Sequence, residues 1–263
     1  MTIEGTGPMT FEGDYSPWYD YQSSIKSISI SEGITTIAVD AFSECGSSTS
    51  ISIPDSVTTI GMYAFYECVS LTSISIPDSV TTIEEGTFTD CTALQSVTIP
   101  SSVTTIGESA FDGCTALTSI DIPDSVTTIM DFAFDGCSAL KSIVIPESVT
   151  SLGGYAFYDC EALESVKIMG PITTLEQSMF SGCYAIKSVV ISESVASIED
   201  FAFEDCSAIE SINIPAAVKS IGTDAFKKLR FYDGETALTY EQLPGKYFEG
   251  SGDGMLYVSE PPA

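Results

Sequence analysis

Eight cysteines, Cys45, Cys68, Cys91, Cys114, Cys137, Cys160, Cys183 and Cys206, follow one another at intervals of 23 residues and are all the cysteines in the chain. Thiols in that number could form disulfides, hold a soft metal or act as nucleophiles. Coils stacked at that interval would set Cα atoms roughly 5 Å apart, inside the disulfide range of about 4.4–6.8 Å. Stacked side chains point the same way, however, which suits a disulfide poorly. The interval leaves no Cys-x-x-Cys and the chain has no histidine, so a zinc site is disfavoured. Leu229 stands in the ninth position, an apolar substitute for a thiol that packs. The expectation is a column of reduced, buried thiols.

The carboxylates are the second chemical resource. Thirty-seven acids face 9 bases, for a formal net charge of −28. Such a surface repels nucleic acid and anionic lipid, because phosphate contact needs clustered Lys and Arg. Two ladders recur with the repeat: Glu32, Asp55, Asp78, Asp124, Glu147 and Glu193, then Glu44, Glu67, Asp90, Asp112, Asp135, Asp159, Glu204 and Asp205. Calcium takes about six to eight oxygens, and no copy offers the dense Asp-x-Asp-Gly of such sites. A solvated acidic face is expected, with weak calcium binding as the alternative and no resident metal or cofactor.

Catalysis finds little footing. Without histidine the usual general base is missing. Gly-x-Ser-x-Gly, a P-loop and a dinucleotide fingerprint are absent. Ser138 and Lys141 make a Ser-x-x-Lys, but inside the repeated phrase. Paired acids could hydrolyse glycosides across a cleft of about 5–10 Å, yet the repeat singles out no pair. No catalytic residue is expected.

What positions these residues is the repeat itself. Phe42, Phe65, Phe88, Phe111, Phe134, Phe157, Phe180, Phe203 and Phe226 keep the same interval, so nine copies run without insertion from about Ile28 to Leu229. Ile74 and Ile76 alternate with Ser73 and Ser75, which marks a strand with one buried face. Pro54, Pro77, Pro100, Pro123, Pro146 and Pro215 each follow such a strand and end it. Val57 and Ile60 then turn the chain, and Ala64, Phe65 and Cys68 read as a short helical turn on the far side. One copy cannot bury its apolar side alone. Stacked at the ~4.8 Å of parallel strands, nine copies can, as a repeat solenoid on the order of 40 Å long.

Both ends of such a column need covering. Residues 1–27 are expected to be the N-terminal cap, with Trp18, Tyr15, Tyr19 and Tyr21 plugging the edge. Residues 28–229 form the solenoid, and 230–263 a β-rich C-terminal cap leading into a linker at "SEPPA". No run of 18 apolar residues occurs, so no membrane insertion is expected of this fragment. "MTIEGTGPMTF" lacks a basic region followed by an apolar run, so the fragment is expected to lack its own signal and anchor.

The segment "LTSISIP" (Leu71 to Pro77) matches the leucine-rich repeat core, and "IPDSVTTIGESAFDGCTALTSI", in its local variants, closely resembles the BspA-type leucine-rich repeat. The resemblance implies a leucine-rich repeat solenoid. It also implies adhesion or recognition at a cell surface, as in surface proteins of gut and oral bacteria, some gut archaea and some protists. One departure is plain. Where the usual repeat has asparagine, this chain has Ser56, Ser79, Ser102, Ser125, Ser148 and Ser194, with Gly33, Pro171 and Ala217 elsewhere. Serine reaches less far, so different curvature is expected.

The open sheet face carries the functional expectation. Ser27, Ser50, Ser73, Ser96, Ser119, Ser142, Ser165, Ser188 and Ser211 fill one outward slot. The slot two residues on holds Ser29, Ser52, Ser75 and Thr98, then diversifies to Asp121, Val144, Lys167, Val190 and Asn213. Lys141, Glu164, Lys187 and Glu210 add alternating charge beside it. The expectation is a non-catalytic extracellular or cell-surface module that binds a host or neighbouring-cell protein or glycan there. A structural spacer without a ligand is the alternative.

Overall fold

A serine–isoleucine alternation places every second side chain inward, and in the computed structural model this gives one short strand in eight of the nine coils. The structure describes residues 1–11 and 16–259; Tyr15 and the terminal "EPPA" lie outside the described residues. The strands are parallel and in register with the repeat, as in Ser27↔Ser50, Ser73↔Ser96 and Ser142↔Ser165↔Ser188. Their isoleucines and valines line the core. Each strand runs up to its proline, or the residue standing there, or ends one residue short of it.

A second ladder runs round the corner. The Thr-Ile pairs expected only to turn the chain are extended: Thr82–Ile83, Thr105–Ile106, Thr128–Ile129 and Ser151–Leu152 pair in one parallel sheet. β-Branched threonine beside isoleucine favours this geometry over a tight corner.

The far side bonds like a helical turn within each coil but does not propagate as a helix. Phe42, Ala41 and Ser43 sit among consecutive turns, with Ala41 N–H donating to Ala38 O, Ser43 N–H to Asp40 O and Cys45 N–H to Phe42 O. Alternate amides instead reach the next coil: Asp40 to Met62 O, Phe42 to Ala64 O and Glu44 to Tyr66 O. That alternation needs two left-handed residues per coil. One slot runs Asp40, Tyr63, Gly86, Ser109, Phe132, Tyr155, Ser178, Phe201, Asp224; the other starts Glu44, Glu67, Asp90, Gly113, Gly136, Asp159, Gly182, Asp205. Left-handed backbone costs an L-residue about 1–2 kcal/mol, which Gly and, less so, Asp escape. Backbone geometry thus accounts for Asp90, Asp159 and Asp205 in the far-side acidic ladder, whereas Asp112, Asp135 and Glu204 lie outside the left-handed slots. At Gly86 a Cβ would also collide with the Tyr63 ring.

Between these three sides lies an aromatic column. The nine phenylalanines are fully buried and stack face to face, with centroids 5.3–5.9 Å apart and planes within 3–14°. Trp18 extends the stack by one ring, 5.3 Å from Phe42 at 15°, and its indole N–H donates to Ala41 O at 2.7 Å. Tyr21, expected in the same plug, is instead 65% exposed. Edge-on rings close both ends: Phe11 against Trp18 at 88°, and Phe231 and Tyr240 against Phe226 at 76° and 79°.

The cysteines run beside that column, all free and buried. From Cys68 to Cys206, each thiol donates to the phenylalanine carbonyl of the preceding coil at 3.1–3.3 Å. The role is packing with a weak directional bond, and burial pushes every thiol pKa up, Cys45 to about 11. The serines in the asparagine slot also bridge coils. Ser56, Ser102, Ser125 and Ser194 donate to Ile34, Val80, Val103 and Ile172 carbonyls at 2.6–2.8 Å.

The ends differ in polarity. Thr2–Ile3 and Gly7–Pro8 pair parallel with the two strands of the first coil. At the other end the strand direction reverses: Lys246–Gly250 lies antiparallel on Ser211–Ile214, followed by Met255–Ser259 and Arg230–Asp233.

Two outcomes are expected. Phe134→Ala, in mid-column, should cost about 3–5 kcal/mol in urea unfolding. Native protein should leave a thiol reagent unreacted, with all eight cysteines titrating only in denaturant.

Candidate binding face

Strands of coils six to nine join the C-terminal strands in one eight-stranded sheet, whose outward side is the largest continuous strand surface among the described residues. Val144, Lys167 and Val190 are direct neighbours across it, in register on three adjacent strands. The two valines are 53% and 48% exposed, and Lys167 is exposed between them. Lys141, Glu164, Lys187 and Glu210 form a second exposed row, in which the amide of each later member donates to the carbonyl of the one before. Within that row Lys187 Nζ lies 2.8 Å from Glu164 Oε2, an exposed pair worth little to stability but enough to orient both ends.

Two expected residues stand apart. Asp121 is exposed, but its segment forms no strand, so the sheet is interrupted in the fifth coil and Asp121 is off the contiguous row. Asn213 is engaged: Ile191 N–H donates to its Oδ1 at 2.8 Å and its Nδ2 donates to Ile191 O at 2.9 Å. Its amide continues the ladder between coils, so neither polar end is spare.

The sheet also brings in residues that the repeat could not flag. Tyr247 lies opposite Asn213, and Tyr257 lies between Glu249 and Tyr232. Tyr257 is 44% exposed and stacks on Tyr232 with centroids 5.4 Å apart. Glu249 accepts from Tyr247 Oη at 3.4 Å and from Ser259 Oγ at 2.8 Å. A row of valine, lysine and valine thus runs into a tyrosine floor. The only sequence signal was the outward alternation of "KYFEG" and "MLYVS".

A model of the BspA type leucine rich repeat region matches the chain in six copies, over residues 17–129 and 104–232. The chain belongs to the BspA-type leucine-rich repeat family. Proteins of this family are often surface-associated, and its solenoid is typically non-catalytic. Of solved structures, a leucine-rich repeat protein from Bacteroides ovatus is similar at 34% identity and TM-score 0.55, over 72% of this chain and 43% of that one. This chain therefore spans less than half of that protein. A leucine-rich repeat protein from Eubacterium ventriosum shares the fold at 22% identity and TM-score 0.53, covering 100% of this chain and 91% of its own. No curated protein matches.

The BspA-type turns put their acids on the side away from this face. Among the described residues no group of three acids converges as a metal site would require. The carboxylates instead press on one another. Burial, then Asp112 and Asp159 on either side, push Asp135 up to about 7. An unfolded aspartate titrates near 3.9. The folded state therefore holds this proton more tightly, so its stabilising contribution is full below pH ~3.9 and is lost as pH rises through about 7. This carboxyl's contribution to the melting temperature should fall between about pH 4 and 7 and level off above, and Asp135→Asn should remove that contribution in a thermal melt series.

Proposed function

We propose that this chain is a non-catalytic recognition module of a cell-surface protein, binding a host or neighbouring-cell protein or glycan along the eight-stranded sheet. The observation that carries the reading is the exposed row of Val144, Lys167 and Val190, continued across the engaged Asn213 by half-buried Tyr247, with exposed Tyr257 on half-buried Tyr232 beside it. Aromatics and exposed valines beside Lys167 and Arg230 have the composition of an interface core, since aromatic residues and arginine are enriched there. Asn213 is left out because its amide is occupied, and Asp121 because it is off the sheet. The Glu164–Lys187 pair, with Lys141, belongs to the rim.

The non-catalytic part is supported by the lack of histidine and by the buried, hydrogen-bonded state of every thiol but Cys45, which is buried as well. A binding screen of the intact chain against matrix proteins, glycans and whole cells tests the reading. Saturable binding is expected, and Val144→Glu with Val190→Glu should weaken it at least tenfold without moving the melting temperature. Binding that survives those changes together with Tyr257→Ala would put the interface elsewhere. Silence across the panel would leave the spacer.

A further inference from the structure

Opposite the sheet, the turns of coils five to eight build a site of a different kind. The left-handed slot holds Phe132, Tyr155, Ser178 and Phe201 in successive coils, each fixed by a hydrogen bond that its backbone N–H donates to a carbonyl of the next coil. Three residues on, and tied back to that slot by a turn, stand Asp135, Tyr158, Ser181 and Glu204. Coil seven thus contributes two serines where its neighbours contribute rings and carboxylates. The result is an open groove of about 400 Å³ that Ser178 and Gln177 line together with Tyr155, Tyr158, Phe201 and Glu204, and that Phe132 and Asp135 of coil five also reach. Phe132 stacks behind Tyr155, centroids 4.9 Å apart, and braces that ring.

The spacing of the gap selects its occupant. Coils six and eight are two strand spacings apart, about 9.5 Å. A cation at mid-height lies about 5 Å from each wall, within the ~6 Å reach of a cation–π contact. The surroundings are acidic: Asp159, then partial burial, then Asp135 and Glu204 among the neighbours, raise the Tyr158 phenol pKa. Lys227 pairs with Glu204 at the edge of this group. The aromatics here are not there to fold the chain, since the same slot accepts Gly86, Ser109 and Ser178, and left-handed backbone disfavours bulky rings.

We infer that the gap over Ser178 binds a soft organic cation, an alkylammonium or guanidinium group, between Tyr155 and Phe201, with Asp135 and Asp159 rather than the Lys227-paired Glu204 as counter-charge. The cation can be free or carried on a basic side chain. Affinity rises with pH through about 7 as Asp135, which faces Asp112 and Asp159 from the coils on either side, loses its proton.

Calorimetric titration of the intact chain with tetramethylammonium, arginine methyl ester, a short Lys/Arg peptide and potassium chloride, at pH 6 and 8, tests this. At least one organic cation should bind at pH 8 at least tenfold more tightly than potassium, and severalfold more weakly at pH 6. Binding by the peptide alone would identify a side chain as the source, and binding by the small cations a free ligand. Tyr155→Ser should weaken binding tenfold or more, and Asp135→Asn should abolish its pH dependence. Ser178→Tyr should fill the gap and block binding. Both Tyr155→Ser and Ser178→Tyr place in the slot a residue that it holds in other coils, so both should keep the wild-type fold by circular dichroism. Equal responses to potassium and the organic cations, no binding by any of them, or binding unchanged in both slot variants would overturn the assignment.

Discussion

The phenylalanine column is the constraint on which the rest depends. One ring per coil, stacked at 5.3–5.9 Å, leaves no slack for a coil of another length. An added residue anywhere between two rings would swing the next ring out of the stack and shift its strand to the wrong face. Strand register, thiol bonds and serine bridges all repeat at the interval that the rings set. Each buried ring contributes roughly 1.5–3 kcal/mol by area, with about 0.5–1.5 more for aromatic packing. No coil holds its ring in place alone, so this stabilisation is shared between neighbours.

The three sides of a coil answer to different physics. On the sheet side inward residues are dictated and outward ones are free. On the second side two extended residues suffice. On the turn side backbone conformation governs the two left-handed slots, which explains glycine, aspartate and serine there. The aromatics at Phe132, Tyr155 and Phe201 stand out against that background.

Much of this was legible in the sequence because core demands repeat. The interval of Phe42 to Phe226, the Ser–Ile alternation and Leu229 in the ninth cysteine slot together imply stacked coils with packing thiols. The far side was harder to read, since Ala64, Phe65 and Cys68 have the same spacing in a helical turn and in a turn with left-handed residues. The sheet face was legible only where the repeat varies. Nothing in Asn213 itself tells that Ile191 occupies its amide, and nothing in "KYFEG" tells that it docks antiparallel on coil nine. Those pairings depend on which backbone edge is left over, which one-dimensional patterns do not encode.

The edge-on rings at the two ends have a consequence for assembly. A face-to-face stack is open-ended, since its last ring presents the same flat face as every ring before it. Phe11 on Trp18, and Phe231 with Tyr240 on Phe226, turn that face through a right angle. With Lys246–Gly250 reversing the strand direction, the C-terminal end offers a second molecule neither the ring face nor the parallel edge of a further coil. A stack that could otherwise be continued coil by coil is thereby closed at that end.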